Sequence, residues 1–125
     1  MGLINIQLTI KNPKDERRSI KKEFLVDSGA NYTVLPERDW KKLKLKPEWK
    51  QKFSLADGRV VIRKIGNALV EFKNRKSATP VVLGKKGDYY LAGAITLEAL
   101  GLSFDPFQRK IYQSKLMLAN LTSTN

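Results

Sequence analysis

A chain of 125 residues is long enough for one domain with its own core, and it contains neither cysteine nor histidine. Those absences exclude disulfides, thiolate nucleophiles, Ser-His-Asp machinery and histidine-ligated zinc, leaving Asp, Glu, Lys or Tyr for any acid–base chemistry. Against 12 acids stand 24 Lys and Arg, a formal charge of +12 that suits polyanions or acidic partners and also keeps a protein in solution.

The first element is Leu3 to Ile10, where Ile4, Ile6, Leu8 and Ile10 alternate with Asn5, Gln7 and Thr9 as in a half-buried strand. Lys11 to Arg18 reads as a charged loop broken by Pro13, after which Ile20 to Val26 returns as the hairpin partner and delivers Asp27. Val34-Leu35 is a further strand, and Pro36 opens a two-turn helix with Glu37 and Asp39 early and Lys41, Lys42 and Lys44 late, matched to the helix dipole. Lys52 to Leu55 and Arg59 to Ile62 form a hairpin about Ala56-Asp57-Gly58, read as a two-residue Asp-Gly turn. Gly66 marks a bend or bulge, and Ala68 to Phe72 is another strand. Asn74-Arg75-Lys76 turns the chain into a strand over Thr79 to Leu83, and Gly84 to Asp88 is a turn. Tyr89 to Ala92 is extended, Ala94 to Leu100 is a short helix stopped by Gly101, and Ser103 to Pro106 turns into a last strand within Lys110 to Leu118. Residues 1–118 are expected to form the domain and 119–125 a frayed tail. Seven or eight short strands and two short helices make a mainly β barrel or sandwich.

No apolar run approaches the ~20 residues of a membrane span, and the start lacks the basic and apolar regions of a secretory signal, so a cytoplasmic protein without a membrane is expected. The basic stretches Lys11 to Lys22 and Lys41 to Lys52 lack the interleaved aromatics of a single-strand binding platform and read first as solvated faces.

Phe24 to Pro36 carries the chemistry: an apolar run, then Asp27-Ser28-Gly29-Ala30, then a second apolar run. An acid delivered between two buried strands is paired, hydrogen-bonded or functional. On those residues alone an ordinary Asp-Ser-Gly turn is the slightly better explanation.

The order of landmarks, however, resembles the retropepsin-like aspartic proteases, the single-lobe relatives of pepsin that include the retroviral enzymes. An N-terminal hairpin leads into Asp27-Ser28-Gly29-Ala30, the Asp57-Gly58 hairpin follows, and Leu91-Ala92-Gly93 precedes a short helix ending at Gly101. The stretch Leu91 to Leu102 followed by Phe104-Asp105-Pro106 is similar to a small prokaryotic branch of that clan. The resemblance implies a mainly β, single-lobe closed β-barrel with two short helices, active as a homodimer. It implies an aspartic endopeptidase in which Asp27 meets its copy across a two-fold axis, the two carboxylates sharing a proton and activating water. By the same resemblance Ser28 locks the two loops together, and Gly29 lets substrate backbone pass. Leu91, Ala92 and Gly93 brace the loop and line the pocket, and Ala56-Asp57-Gly58 tips a flap over a peptide or unfolded-protein substrate. The segment from Phe104 to Leu118 supplies interface strands. No cofactor and no metal is implied. The alternative is a retropepsin-like domain, weak or inactive as a catalyst, that binds acidic partners or nucleic acid; nucleic acid is possible but not favoured.

Overall fold

A computed structural model describes residues 4–27 and 29–121. The elements in chain order are β1 (Ile4–Asn12), β2 (Asp15–Val26), β3 (Thr33–Leu35), α1 (Glu37–Lys42), β4 (Trp49–Ser54), β5 (Val60–Phe72) and β6 (Arg75–Leu83). They continue with β7 (Leu91–Ala92), α2 (Ala94–Ala99), β8 (Leu102–Asp105) and β9 (Lys110–Gln113). Among the described residues no helix is long and apolar enough to cross a membrane.

Seven strands form one sheet in the order β1-β2-β7-β3-β6-β5-β4, and a second pairing of β1 with β5 at Thr9↔Glu71, Ile10↔Val70 and Lys11↔Leu69 joins its two sides. The sheet therefore curls into a barrel, with β4 extending beyond the ring as an arm paired only to β5. The alternation in the first hairpin explains the curl. Ile6, Leu8 and Ile10 point inward with Ile20, Phe24 and Val26, and Val70, Val81, Leu83 and Leu35 meet them in one core. The fold is thus mainly β with a single lobe and two short helices, as the sequence leads one to expect.

Several boundaries differ from the sequence reading. The charged residues from Asp15 to Arg18 belong to β2, because the first hairpin turns at Pro13-Lys14. A period-two apolar pattern cannot report the solvated outer end of a hairpin, where both faces are wet. Gly66 interrupts nothing: β5 runs through it as one strand of 13 residues. A Cβ there would lie 2.8 Å from the Lys46 carbonyl oxygen, so this glycine answers to close backbone approach rather than to a bend. The Asp57-Gly58 turn spans three residues, not two. Leu55 and Arg59 flank it, Gly58 N–H donates to the Leu55 carbonyl at 2.9 Å, and Gly58 takes the left-handed conformation at φ 88°. Asn74-Arg75-Lys76 is a two-residue turn at Lys73-Asn74, with Arg75 already paired to Phe72. Ser103, Phe104 and Asp105 are strand rather than turn, paired with β9 in a separate two-stranded sheet, and the last strand ends at Gln113. Of the tail, residues 122–125 lie outside the described part of the chain.

Candidate active site

Asp27 stands at the end of β2, where that strand leaves the core. Its neighbours Leu25 and Val26 lie in parallel register with Leu91 and Ala92 of β7. Leu25 N–H donates to the Tyr90 carbonyl at 2.9 Å, and Asp27 N–H to that of Ala92 at 3.4 Å. Beyond this point the chain turns at once: Ala30 N–H donates to the Asp27 carbonyl at 3.0 Å, and Gly29 N–H to the Asp27 carboxylate Oδ1 at 2.9 Å. The carboxylate is part-exposed, with one oxygen engaged by the loop. Gly29 is exposed beside it, and a Cβ on Gly29 would sit 3.3 Å from Asp27 Oδ1. Ser28 lies outside the described residues.

The first turn of α2 holds the loop from the other side. Ala94 N–H donates to the Ala30 carbonyl and Ile95 N–H to the Asn31 carbonyl, each at 2.9 Å. This approach requires Gly93, because a Cβ there would come within 2.3 Å of the Tyr32 carbonyl carbon and 2.7 Å of the Asn31 carbonyl oxygen. Residues far apart in sequence, Asp27 to Ala30 and Leu91 to Ala94, are thereby built into one unit.

Beneath the loop runs a chain of buried hydroxyls absent from the sequence reading. Gly93 N–H donates to Thr33 Oγ1 at 3.1 Å, and Thr33 Oγ1 donates to Thr96 Oγ1 at 2.6 Å. Thr96 Oγ1 lies 3.3 Å from Thr79 Oγ1, which donates to the Pro80 carbonyl at 3.3 Å. All three threonines are buried, and every buried side-chain polar atom among the described residues has a partner. The sequence shows each of them only as a threonine on β3, β6 or α2, which by itself singles out no site.

The hairpin tip at Ala56, Asp57 and Gly58 is exposed. Arg59 closes it, its Nε donating to Asp57 Oδ2 at 2.7 Å and its backbone N–H to Oδ1 at 3.0 Å. An aromatic contact ties this hairpin to the segment after the acid loop: the rings of Tyr32 and Phe53 meet edge-on, centroids 5.7 Å apart. Its root is clamped by Arg63, whose guanidinium takes both oxygens of Asp88, at 2.8 and 3.2 Å. Burial pushes the Asp88 carboxyl up, but these bonds and the Lys85 backbone N–H outweigh it and hold the group below its ordinary value.

No protein of curated function matches the chain in sequence. Among solved structures, a retropepsin-like aspartic protease from Rickettsia conorii is similar, with 23% identity over 82% of this chain and 84% of that one and a TM-score of 0.47. The family model for aspartyl proteases matches residues 7–91, which include the acid loop and the β4–β5 hairpin and reach into β7. With more than half of its length inside that match, the chain belongs to the aspartyl protease family.

Proposed function

We propose that the protein is an aspartic endopeptidase whose active form is a homodimer, with one Asp27 from each chain. The observation that carries the reading is the loop itself: a part-exposed carboxylate at the end of a core strand, held by Gly29 N–H and braced by the start of α2. One chain supplies one such acid, while peptide hydrolysis by carboxylates needs a base toward water and an acid toward the carbonyl. A two-fold axis beside Asp27 supplies the second. Two carboxylates in contact share one proton, so the ionised one draws a proton from water and the protonated one polarises the scissile carbonyl. Gly29 leaves room for the substrate backbone, Ser28 links the two loops, and the tip at Ala56-Asp57-Gly58 covers the bound peptide.

Exposed apolar side chains support the dimer. Phe107, Leu116, Met117 and Leu118 are between 73% and 95% exposed in the single chain, next to β8 and β9, which stand apart from the barrel sheet. The test is hydrolysis of an unfolded protein between pH 3 and pH 7. Wild type is expected to cleave and to be blocked by a pepstatin-type inhibitor, and Asp27→Asn to lose on the order of 10²- to 10⁴-fold in kcat/KM. If wild type and Asp27→Asn are equally inert, or sedimentation finds only monomer under conditions of cleavage, the reading is wrong.

A further inference from the structure

The two densest basic stretches of the sequence, Lys11 to Lys22 and Lys41 to Lys52, are far apart along the chain and meet in the fold. Asn12, at the end of β1, joins them: its side-chain amide donates to the Leu43 carbonyl at 2.8 Å and to that of Lys44 at 3.3 Å. Its Oδ1 accepts the Lys14 N–H at 2.8 Å, so one side chain pins the tip of the first hairpin against the segment after α1. Between the two lies an open cleft of about 250 Å³, floored by the buried Leu45 and flanked by Lys14, Lys44 and Lys46.

Three lysines around one cleft repel one another, and none of them is held in an ion pair. Seven ion pairs occur among the described residues, and none uses Lys14, Lys44 or Lys46. The rim carries one carboxylate, Glu48, against the three ammonium groups. Lys44 adopts φ 56°, just past the end of α1, where glycine or asparagine is the unstrained choice. The site is also distinct from the acid loop, sharing no residue with it.

We propose that this cleft is a docking site for the phosphodiester backbone of nucleic acid. Three unpaired ammonium groups and the Asn67 side-chain amide offer donors to phosphate oxygens, in a recess that fits phosphate rather than a flat surface. A membrane surface is disfavoured because the exposed large apolar side chains lie on the β4–β5 hairpin, at Tyr89 and along the segment from Phe107 to Leu121, with none lining the cleft. The charge of +12 favours a polyanion over a single small anion, since the remaining lysines of both stretches extend the positive field along its length. No aromatic ring lines the cleft, so binding is independent of sequence and made through the backbone.

The experiment measures binding of a labelled DNA duplex by fluorescence anisotropy over a series of salt concentrations. Three proteins are compared: wild type, Lys14→Glu/Lys44→Glu/Lys46→Glu, and Lys85→Glu/Lys86→Glu/Lys115→Glu. The two triple variants change net charge equally, so only position separates them. The cleft variant is expected to lose at least tenfold in affinity and to flatten the slope of log K against log salt by about 2–3. The variant outside the cleft should stay within twofold of wild type. The single changes Lys14→Gln, Lys44→Gln and Lys46→Gln repeat the test with less perturbation, each expected to flatten the slope by about 0.9. Equal losses in both triple variants would mean diffuse charge attraction and overturn the site. Absence of duplex binding at physiological salt, or binding only to anionic vesicles or to inorganic phosphate, would overturn it too.

Discussion

At the scale of single residues, the three threonines under the acid loop carry more than their composition suggests. Taken in order, Gly93 N–H, Thr33, Thr96, Thr79 and the Pro80 carbonyl form one chain of donors and acceptors without a gap. Removing a member leaves its neighbours unsatisfied in a dry site, which costs more than the bond itself contributes. Asp88 is a part-buried carboxylate whose protonation can be predicted. Its carboxyl titrates below the ordinary value in the folded protein, so the unfolded chain binds the proton more readily. The stabilisation it gives is present at neutral pH and is lost as pH falls through the carboxylate range. Asp88→Asn is expected to lower stability at pH 7 by about 1.5–3 kcal/mol, and its thermal midpoint should draw closer to that of wild type between pH 7 and pH 3. Parallel midpoints at the two pH values would refute this. Asp27 and Gly93 could be singled out in the sequence because an acid or a glycine between apolar runs breaks a pattern. The threonines could not, because a hydroxyl at an inward position looks the same whether it has one partner or three.

At the scale of elements, the acid loop depends on α2, a helix of six residues that also carries Thr96 of the hydroxyl chain and the buried Leu97. Its first turn donates two backbone bonds to the loop, and Gly93 sets how near it can come. Gly93→Ala is expected to push the two segments apart, because the clash is with Tyr32 backbone and no side chain can yield. A destabilisation of about 1–3 kcal/mol should follow, with cleavage falling further than the unfolded fraction explains. Unchanged activity and melting would show that the approach is looser than the geometry implies. Strand positions and both helices were legible because alternation and the glycine after α2 are local signals. The ends of β2 and β5 were not. Their outer portions are solvated on both faces, or run through a glycine chosen for a neighbour's backbone, and no local pattern reports either.

At the scale of the molecule, charge opposes the proposed dimer. Each chain carries +12, so two copies repel at long range, and salt weakens that repulsion by shortening the screening length from about 30 Å at 0.01 M to about 10 Å at 0.1 M. Sedimentation is therefore expected to show tighter self-association as salt rises over that interval, with specific activity increasing in step at fixed protein concentration. Weaker association at higher salt would point instead to an interface held by ion pairs. The barrel itself was only partly legible, since the β1–β5 pairing joins segments whose own patterns name no partner. The parallel pairing of β2 with β7 has a consequence in time. Leu25 cannot pair with Leu91, nor Ala30 meet Ala94, until nearly the whole domain has been synthesised. Local hairpins such as β1–β2 and β5–β6 can form early, whereas contacts of such long sequence separation come late and set the folding rate. A nascent chain ending before Gly93 can own its hairpins, but its Asp27 loop has nothing to lean on. The candidate site is therefore among the last features the chain completes, and a partly made molecule carries its acid without the frame that would put it to use.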